Sequence, residues 1–344
     1  MAVENNAPRI NRLLMRMTIA AALLATAASL FACTQQERKP AGPPEKVTIA
    51  FSATTDAVLA EVAQVKGFFR EEGLAVTPRL HPYGKPALED MLAGKADFAT
   101  VAITPVMFAI LNGEKIAVIA TIENSDKANA VLARRDRGIT APKDLKGKRI
   151  AATLGTTSEF YLDAVLGLHG ISRKDVEAVD LKAGEMADAL ARGDIDAVST
   201  FIPYTVLTQK KLGDRAITFQ DREIYRWTFN VVAKQEFVRN NPEKVRKILR
   251  ALVRAEEFTR SNPAEAQKIV AGFSGIDLAI VRDIWADTRF TVSLDQPLIL
   301  TLEDESRWAI NSGLTVAEKV PNYLDFIYFE GLKSIKPDAV MILK

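Results

Sequence analysis

From Lys46 onward, short runs of β-branched residues alternate with stretches in which apolar residues recur at helical spacing. The run VTIAF at 47–51 precedes a helical pattern over 56–71, and LAVTPRL at 74–80 precedes a second helical pattern over 85–94. Strands that alternate with helices are typical of largely parallel sheets joined by crossover helices. The pattern therefore predicts an α/β fold.

The C-terminal part of the chain has one further strand pattern and is otherwise helical. WTFNVVAKQEF at 227–237 reads as a strand, and helices are predicted over 242–261, 263–273 and 277–288. The first two of these helices each follow an Asn-Pro pair, which is the order expected of a capping asparagine and a proline at the first helical position.

Two segments of the chain resemble each other at a separation of about 100 residues. Residues 48–80 and 149–181 both run strand, Thr-Thr, helix, glycine, strand. After them, LAGKAD precedes Pro105 just as LARGDID precedes Pro203. This separation is too long for a solenoid repeat and favours two related α/β lobes. The Thr-Thr turns of such lobes are expected to face a common cleft.

The N-terminal segment is basic and leads into the apolar run MTIAAALLATAASLFA, which ends at Cys33. This is the order of an export signal, and the run is shorter than the roughly 20 residues that a membrane-spanning helix needs. The sequence LFAC resembles the lipobox at which bacterial lipoproteins are cleaved and acylated. We therefore expect lipidation at Cys33, with an ordinary signal peptide or an uncleaved anchor helix as the alternatives.

Composition narrows the function classes once the expected signal peptide, residues 1–32, is removed. Its removal takes away three arginines and one glutamate, so Lys+Arg falls from 45 to 42 and Asp+Glu from 43 to 42. A nearly neutral mature chain argues against nucleic-acid and anionic-membrane binding. Cys33 is the only cysteine, so the apolar core must hold the fold without an internal disulfide. The polar, proline-rich segment 33–45 is predicted to be a tether.

The segment GTTSE, which starts at Gly155, joins a predicted strand to a predicted helix. A helix start has unpaired backbone amides and partial positive charge, and glycine allows close approach of a ligand. With the hydroxyls of Thr157 and Ser158, this predicts a site for a carboxylate, sulfonate, phosphate or nitrate. The same residues fit a capping box between Thr156 and Glu159, which leaves the amides of Thr157 and Ser158 for a ligand.

Several segments, in order, resemble the periplasmic solute-binding proteins of ABC importers. They are GFFREEGLAV, LAGKADFA, DLKGK before the Gly-Thr-Thr helix, and ALARGDIDAV, within residues 46–234. The similarity is greatest to the nitrate/sulfonate/taurine type, which includes relatives of thiamine-pyrimidine-precursor binders. It implies a type II periplasmic binding protein fold, with two lobes, each a mixed sheet flanked by helices, and a ligand cleft between them. We expect lobe 1 to comprise 46–132 plus 224–344, and lobe 2 to comprise 133–223.

Carried over by position, the resemblance implies ligand-binding residues at the ends of strands in both lobes. An anionic solute would use Arg226 and the helix amides, whereas a heteroaromatic solute would stack on Tyr83, Phe201 and Trp227. As alternatives, Tyr83 covers the rim, Trp227 is a core residue and Arg226 pairs with Asp221. The candidate residues are Ser52, Thr54, Thr55, Tyr83, Gly84, Thr100, Arg226 and Trp227 of lobe 1, and Gly155, Thr156, Thr157, Ser158 and Phe201 of lobe 2.

The chain departs from the family pattern at two positions beside the expected cleft. Phe201 stands where the family often has a tryptophan, two residues before a proline, and Ser52-Ala53 replaces a common glycine. Both departures affect the identity of the solute rather than the fold.

The sequence contains few candidate catalytic residues and motifs. The two histidines, His81 and His169, have no second ligand at metal spacing, and no nucleophile elbow, phosphate-binding loop or dinucleotide fingerprint is present. We therefore expect a binding protein rather than an enzyme, with no cofactor and no metal. The alternatives are an exported lyase-type enzyme on the same scaffold, with His81 or a carboxylate as its base, and a periplasmic solute sensor.

The resemblance and the leader together predict an exported, membrane-anchored lipoprotein. In this interpretation a monomer captures a small solute by lobe closure. It then delivers the solute to an ABC permease with a cytoplasmic ATPase. The lipid holds it near this partner.

Overall fold

The structure is a computed structural model that describes residues 42–343. The expected signal peptide, the lipidation site at Cys33 and most of the expected tether lie outside the described residues. The strands are β1 (Glu45–Ser52), β2 (Leu74–His81), β3 (Phe98–Ala102), β4 (Ile116–Ser125), β5 (Asn129–Arg134), β6 (Arg149–Ala152), β7 (Glu177–Asp180), β8 (Ala197–Phe201), β9 (Ala216–Phe219), β10 (Trp227–Lys234) and β11 (Arg289–Ser293).

Helices separate and follow these strands, which confirms the predicted α/β class. They are α1 (Val58–Val65), α2 (Phe68–Glu71), α3 (Gly84–Leu92), α4 (Ile103–Leu111), α5 (Thr157–Leu168), α6 (Ala183–Arg192), α7 (Tyr204–Leu212), α8 (Gln235–Asn240), α9 (Pro242–Ser261), α10 (Pro263–Ser274), α11 (Leu278–Trp285), α12 (Gln296–Asn311) and α13 (Phe329–Lys333). Short 3-10 turns occur at Arg135–Arg137, Pro142–Leu145, Arg173–Asp175, Gly213–Arg215, Tyr323–Phe326 and Pro337–Ala339.

The strands form two mixed sheets, one of six strands and one of five. The six-stranded sheet has the order β2-β1-β3-β10-β4-β11, and the five-stranded sheet has the order β7-β6-β8-β5-β9. In each, a central strand pairs in parallel with two neighbours, and the next strand runs antiparallel: β1 with β2, β3 and then β10, and β6 with β7, β8 and then β5. The two segments that resemble each other in sequence therefore have the same strand arrangement.

The chain passes between the sheets twice. It leaves the six-stranded sheet after β4, enters the other sheet at β5, and returns between β9 and β10. We call the six-stranded sheet with its helices the first lobe, and the five-stranded sheet with its helices the second lobe. The expected boundary after residue 132 falls within β5, whose partners β8 and β9 belong to the second sheet. The exact lobe boundaries stay a prediction.

The five-stranded sheet is covered on both faces, as the alternation along β5 shows. Val131 and Ala133 belong to the main apolar cluster, which includes residues of α5, whereas Ala130 and Leu132 belong to a second cluster with residues of α6. Successive strand residues point to opposite faces, so one short strand contributes to both layers. No helix within residues 42–343 is both long enough and apolar enough to cross a bilayer.

Two predicted elements are interrupted for local reasons. The helical pattern over 56–71 divides into α1 and α2 because Gly67 has a φ of 77°, in the left-handed region. The strand pattern over 227–237 ends at Lys234, and α8 takes the residues that follow. The apolar spacing alone did not distinguish these breaks from continuous elements.

The close packing of α3 on β3 depends on Gly84. A Cβ atom at this position would lie 2.8 Å from the Cα atom of Val101 and 3.2 Å from the backbone nitrogen of Ala102. Real Cβ atoms do not approach backbone atoms this closely, so a side chain here would push α3 away from the sheet.

We expect Gly84→Ala to lower the free energy of unfolding by about 1–3 kcal/mol through this overpacking, measured by urea denaturation. Gly272→Ala is the matched control, because Gly272 lies in α10 with no atom within 4 Å of the added Cβ. This control should raise the stability by about 0.5–1 kcal/mol. Unchanged stability of Gly84→Ala would contradict the packing described.

Candidate ligand pocket between the two lobes

A cavity of about 20 Å³ lies between the lobes. This volume holds about one water molecule, so the lobes lie close together here. Three segments of the first lobe and two of the second contribute to it, together with the start of β10. The lining residues are Asp56, Tyr83, Gly84, Lys85, Ala102, Pro105, Trp227 and Phe229 of the first lobe, and Thr156, Thr157 and Phe201 of the second.

The starts of α3, α4 and α5 all lie at this cavity. Tyr83 precedes α3, Ala102 precedes α4 and Thr156 precedes α5, each with extended backbone. The first amides of a helix have no partner within the helix, and the helix dipole places partial positive charge at the same end. Helix starts from both lobes therefore give the cavity a set of hydrogen-bond donors.

At the start of α5, the Thr156 hydroxyl accepts a hydrogen bond from the Ser158 amide at 3.3 Å and donates one to the Thr153 carbonyl at 2.7 Å. Glu159 accepts from the Gly155 amide at 2.7 Å. Both side-chain hydrogen bonds of the predicted capping box are therefore shifted. The Thr156 hydroxyl accepts from the amide of Ser158 instead of Glu159, and the Glu159 carboxylate accepts from the amide of Gly155 instead of Thr156.

This displacement determines which donors face a ligand. Within residues 42–343, the amides of Thr156 and Thr157 have no hydrogen-bond acceptor. The Thr157 side chain lines the cavity and has no hydrogen bond to another described residue. Ser158 instead supports the turn, because its hydroxyl accepts from the Thr153 amide at 2.9 Å. The α5 start thus offers two amides and one hydroxyl.

In the first lobe, the corresponding turn after β1 contains a buried carboxyl group. Asp56 is 2% exposed, and its Oδ2 atom accepts from the Thr54 hydroxyl at 3.0 Å, whereas Oδ1 has no partner among the described residues. The Ser52 hydroxyl lies 2.9 Å from that of Thr54, and the Ser52 amide donates to the Thr100 hydroxyl at 2.8 Å. These predicted site residues lie behind the cavity wall and position Asp56.

Asp56 has two further carboxyl groups behind it. Glu61 on α1 and Glu123 on β4 are fully buried, and their carboxyl oxygens have no hydrogen-bond partner among the described residues. Burial raises the pKa of Asp56 from 3.8 to about 7, and the hydroxyl groups of Thr54 and Thr55 oppose this shift. Burial, and then the neighbouring carboxyl groups, raise the pKa of Glu61 and of Glu123 well above its ordinary value.

Aromatic side chains form much of the remaining wall. The rings of Tyr83 and Phe201 approach across the lobes with centroids 6.1 Å apart, and Trp227 and Phe229 lie 5.4 Å apart on one face of β10. Trp227 is 1% exposed, and its Nε1 atom has no acceptor among residues 42–343. An indole N–H usually finds a partner when it is buried, so this wall also has an unused donor.

Two hydrogen bonds join the lobes at the rim of the cavity. Lys85 Nζ donates to the Leu154 carbonyl at 2.9 Å, and the Tyr204 hydroxyl donates to the Pro82 carbonyl at 3.1 Å. Farther away, Trp308 Nε1 on α12 donates to Asp163 on α5 at 3.0 Å. The contacts hold the two lobes together around the cavity.

The structure brings six of the predicted ligand residues to the cavity wall. These are Tyr83, Gly84, Thr156, Thr157, Phe201 and Trp227. Thr55 is buried in the turn before Asp56, and Gly155 lies beside Lys85, whose Nζ would be 2.9 Å from an added Cβ atom. The roles of the individual site residues stay a prediction.

Arg226 lies away from this cavity. It is exposed and lines a separate, open cavity together with Arg222 and Asp287. The alternative pairing with Asp221 is also absent among the described contacts, since Asp221 accepts from the Glu223 amide. Arg226 precedes β10, which begins at Trp227.

Sequence reasoning missed Asp56, Lys85, Ala102, Pro105 and Phe229 as lining residues. One available signal was the internal duplication. It aligns Thr54-Thr55-Asp56 with Thr156-Thr157-Ser158 and so places Asp56 at the helix start of the first lobe. Within residues 42–343, no group of three or more His, Cys, Asp or Glu side chains has an arrangement able to hold a metal ion.

Comparison with known sequences agrees with this geometry. The sequence model described as NMT1/THI5 like matches residues 55–266. The chain belongs to the NMT1/THI5-like family. A putative aliphatic sulfonates-binding protein of Bacillus subtilis is 28% identical over 232 residues, which cover 66% of this chain and 70% of the relative. The taurine-binding periplasmic protein of Escherichia coli is 27% identical over 214 residues, covering 61% of this chain and 65% of the relative.

One relative is named as an enzyme, and solved structures share the fold. The 4-amino-5-hydroxymethyl-2-methylpyrimidine phosphate synthase THI13 of Saccharomyces cerevisiae is 27% identical over 210 residues, which cover 56% of this chain and 60% of the relative. The periplasmic aliphatic sulphonate binding protein SsuA of Escherichia coli has a TM-score of 0.71 at 18% identity, covering 83% of this chain and 98% of that one. The nitrate-binding protein NrtA of Synechocystis has a TM-score of 0.68 at 14% identity, covering 86% and 90%. These similarities confirm the periplasmic binding protein fold.

The buried carboxyl of Asp56 predicts a pH dependence of stability. Its pKa is about 7 in the folded chain, against 3.8 ordinarily. The protonated form is therefore favoured by folding, and its contribution is lost as the pH rises from about 4 to about 7. We expect Asp56→Asn, which keeps an acceptor for Thr54, to reduce this fall by up to about 4 kcal/mol.

Urea denaturation at pH 4, 5, 6 and 7 measures the slope for wild type and Asp56→Asn. Asp214→Asn is the control, because Asp214 is exposed on the turn Gly213–Arg215. The control should keep the wild-type slope. Identical slopes for wild type and Asp56→Asn would show that the Asp56 carboxyl titrates as in the unfolded chain.

Proposed function

We propose that this chain is the solute-binding component of an ABC importer, which captures a small solute between its lobes and delivers it to a membrane permease. The observation that carries the proposal is the shared cavity. Its wall combines Asp56, Tyr83 and Trp227 of the first lobe with Thr157 and Phe201 of the second. A ligand that touches both walls stabilises the closed arrangement over the open one, which is the physical basis of capture by lobe closure.

The chemistry of the second-lobe wall favours a solute with an anionic group. Unpaired amides of Thr156 and Thr157 and the hydroxyl of Thr157 lie at the start of α5. These are the donors that carboxylate, sulfonate and nitrate oxygens accept from. The aromatic rings of Phe201 and Trp227 supply apolar contact for the rest of the solute.

The size of the cavity supports entry by separation of the lobes. A volume of about 20 Å³ is too small for a sulfonate or an amino acid. The rim bonds from Lys85 to Leu154 and from Tyr204 to Pro82 each join one lobe to the other. Opening these two bonds while the chain segments between β4 and β5 and between β9 and β10 bend would admit the solute.

The names of the relatives and the N-terminal leader support the proposed delivery of the solute to a permease. Several relatives are named as periplasmic binding proteins, and binding proteins of this kind pass their solute to a permease. We propose that acylation of Cys33 anchors the chain to a membrane beside that partner. The tether then ends at residue 44, because Glu45 begins β1, and the protein acts as a monomer.

An enzyme on the same scaffold is the second candidate, because THI13 is named as a synthase. His81, the base considered from the sequence, lies 3.1 Å from the Asp90 carboxylate through its Nε2 atom and does not line the cavity. Mass spectrometry of a solute recovered after incubation distinguishes the two functions. Recovery of the unchanged solute supports binding, and its conversion supports the enzyme.

We expect Thr157→Val to weaken solute binding about 10- to 100-fold, since it removes one hydrogen bond to a charged group. A thermal-shift screen with sulfonates, nitrate, amino acids, aromatic acids and pyrimidines finds the solute first. At 100 times its dissociation constant a ligand stabilises the fold by about 2.7 kcal/mol. The exposed strand residue Thr77 gives the control Thr77→Val, which should bind as wild type does. Equal affinity of both variants would remove the α5 start from the site.

We expect Cys33→Ser to release the protein from membranes, because it removes the acylation site. Phase separation in Triton X-114 of cells that express each form measures this. Wild type should enter the detergent phase and Cys33→Ser the aqueous phase. Wild type in the aqueous phase would show that the leader is an ordinary signal peptide.

A further inference from the structure

A larger cavity lies beside the two chain segments that join the lobes, and we call it the hinge cavity. Its volume is about 360 Å³, and small-molecule sites occupy about 300–1,000 Å³. Its walls come from α7, β5 and β9 of the second lobe, from α11 of the first lobe, and from the end of β4. All of its lining residues differ from those of the cavity proposed for the solute, which we call the solute cavity.

The hinge cavity and the solute cavity lie on opposite faces of the five-stranded sheet. Ala130 and Leu132 of β5 line the hinge cavity, and both belong to the apolar cluster with α6. Val131 belongs to the cluster with α5, whose start lies at the solute cavity. A ligand in the hinge cavity is therefore separated from the α5 start by the sheet.

The floor of the hinge cavity is apolar. Ala130, Leu132, Ile202 and Ile284 line it, and each is at most 6% exposed. Ile284 belongs to α11, so the floor combines side chains of both lobes. Such a surface suits the apolar body of a small ligand.

The two lysines in the wall of the hinge cavity already have carboxylate partners. Lys210 on α7 pairs with Asp283 on α11 at 3.3 Å, between the lobes. Lys127, in the segment between β4 and β5, pairs with Asp287. This cavity therefore offers a ligand apolar contact rather than a counter-charge.

A more polar cavity of about 320 Å³ adjoins the hinge cavity. The two cavities share wall residues, among them Ser125 and Asp287. Arg222, Arg226 and Arg289 line the second one, which we call the arginine cavity. One small molecule can therefore contact the apolar floor and the arginines at the same time.

Two of these arginines have no counter-ion within residues 42–343. Arg222 lies 3.9 Å from Asp287, whereas Arg226 and Arg289 form no ion pair in this part of the chain. Asp126 also lines the arginine cavity. Three guanidinium groups thus face two carboxylates, one of which already pairs with a lysine. A guanidinium group matches the oxygens of carboxylates and phosphates, so the excess charge favours an anion.

From this arrangement we infer that the hinge has a second binding site, for a small amphipathic anion with an apolar body and an oxyanion head group. The apolar body lies in the hinge cavity, and the head group binds Arg226 and Arg289. The inference goes beyond the proposed function, because this site shares no residue with the solute cavity. Because α7 and α11 belong to different lobes, a ligand here contacts both.

Isothermal titration calorimetry at neutral pH tests the inference with three compounds that share a naphthalene body. Two carry an oxyanion, 1-naphthaleneacetate and 1-naphthyl phosphate, and the third, 1-naphthaleneacetamide, is neutral. The full-length Cys33→Ser chain is used, so that no detergent is needed. We expect at least one anion to bind with a dissociation constant below about 1 mM, at least about tenfold more tightly than the amide, because the arginines add charge-assisted hydrogen bonds.

Arginine variants assign the head group. Arg226→Gln and Arg289→Gln should each weaken the bound anion at least about fivefold and leave the affinity of the amide within about twofold. Arg282→Gln is the matched control, because Arg282 is exposed on α11 and lines neither cavity. This control should bind as the parent chain does.

A second pair of variants assigns the apolar body. Val206 on α7 lines the hinge cavity, so Val206→Phe fills part of it and should weaken anion and amide by about the same factor, at least about fivefold. The next residue, Leu207, is exposed and does not line the cavity, so Leu207→Phe is the control. Circular dichroism checks that each variant is folded. If Val206→Phe does not fold, the arginine variants and the comparison with the amide still decide.

The outcomes separate this inference from the proposed function. Thr157→Val should leave the affinity for the anion unchanged. A loss of affinity in Thr157→Val, with none in Arg226→Gln and Arg289→Gln, would place the compound in the solute cavity; it would overturn the second site and support solute capture. Absence of binding by both anions, or an amide that binds as tightly as they do, would overturn the second site and leave solute capture to its own screen.

Discussion

The carboxyl ends of parallel strands, and the helix starts that follow them, lie on one edge of a sheet, and both sheets of this protein turn that edge toward one cavity. The arrangement is built twice, as β2-β1-β3 and as β7-β6-β8. Because each parallel connection returns through a helix, the unpaired amides of α3, α4 and α5 meet in the same small space. The solute capture proposed for the chain depends on this convergence of helix starts.

The two halves of the cavity share a backbone plan but differ in what their turns carry. In the second lobe, the Thr156 hydroxyl caps α5 and the Glu159 carboxylate accepts from the Gly155 amide. The amides of Thr156 and Thr157 therefore remain available to an anion. In the first lobe, Ser52 forms hydrogen bonds with Thr54 and Thr100, and the Thr54 hydroxyl donates to Asp56. A buried carboxyl with one unused oxygen is the result.

Under the proposed function, the same side chains would couple lobe closure to solute binding. Lys85 is part of the cavity wall and also bonds to Leu154 of the opposite lobe. Tyr83 and Phe201 meet across the lobes at the same place. Residues that contact both the solute and the other lobe make the closed state sensitive to the occupant, because a ligand shifts a conformational equilibrium only through different contacts in the two states. The aliphatic sulphonate binding protein SsuA of Escherichia coli has the same fold.

The sequence by itself determined the α/β class, the internal duplication, the family resemblance and the helix start at Thr157, because these follow from local periodicity and from glycine and threonine at turns. Only the tertiary structure decided which polar side chains face the cavity. Arg226 points to solvent, Thr156 caps Ser158 rather than Glu159, and the Asn241 amide donates back to Phe237 at the end of α8 instead of capping the next helix. The burial of Asp56 was likewise not predictable from the sequence. Whether a carboxyl group is solvated or buried without a partner depends on packing between segments that are far apart in the chain, and no local sequence pattern indicates it.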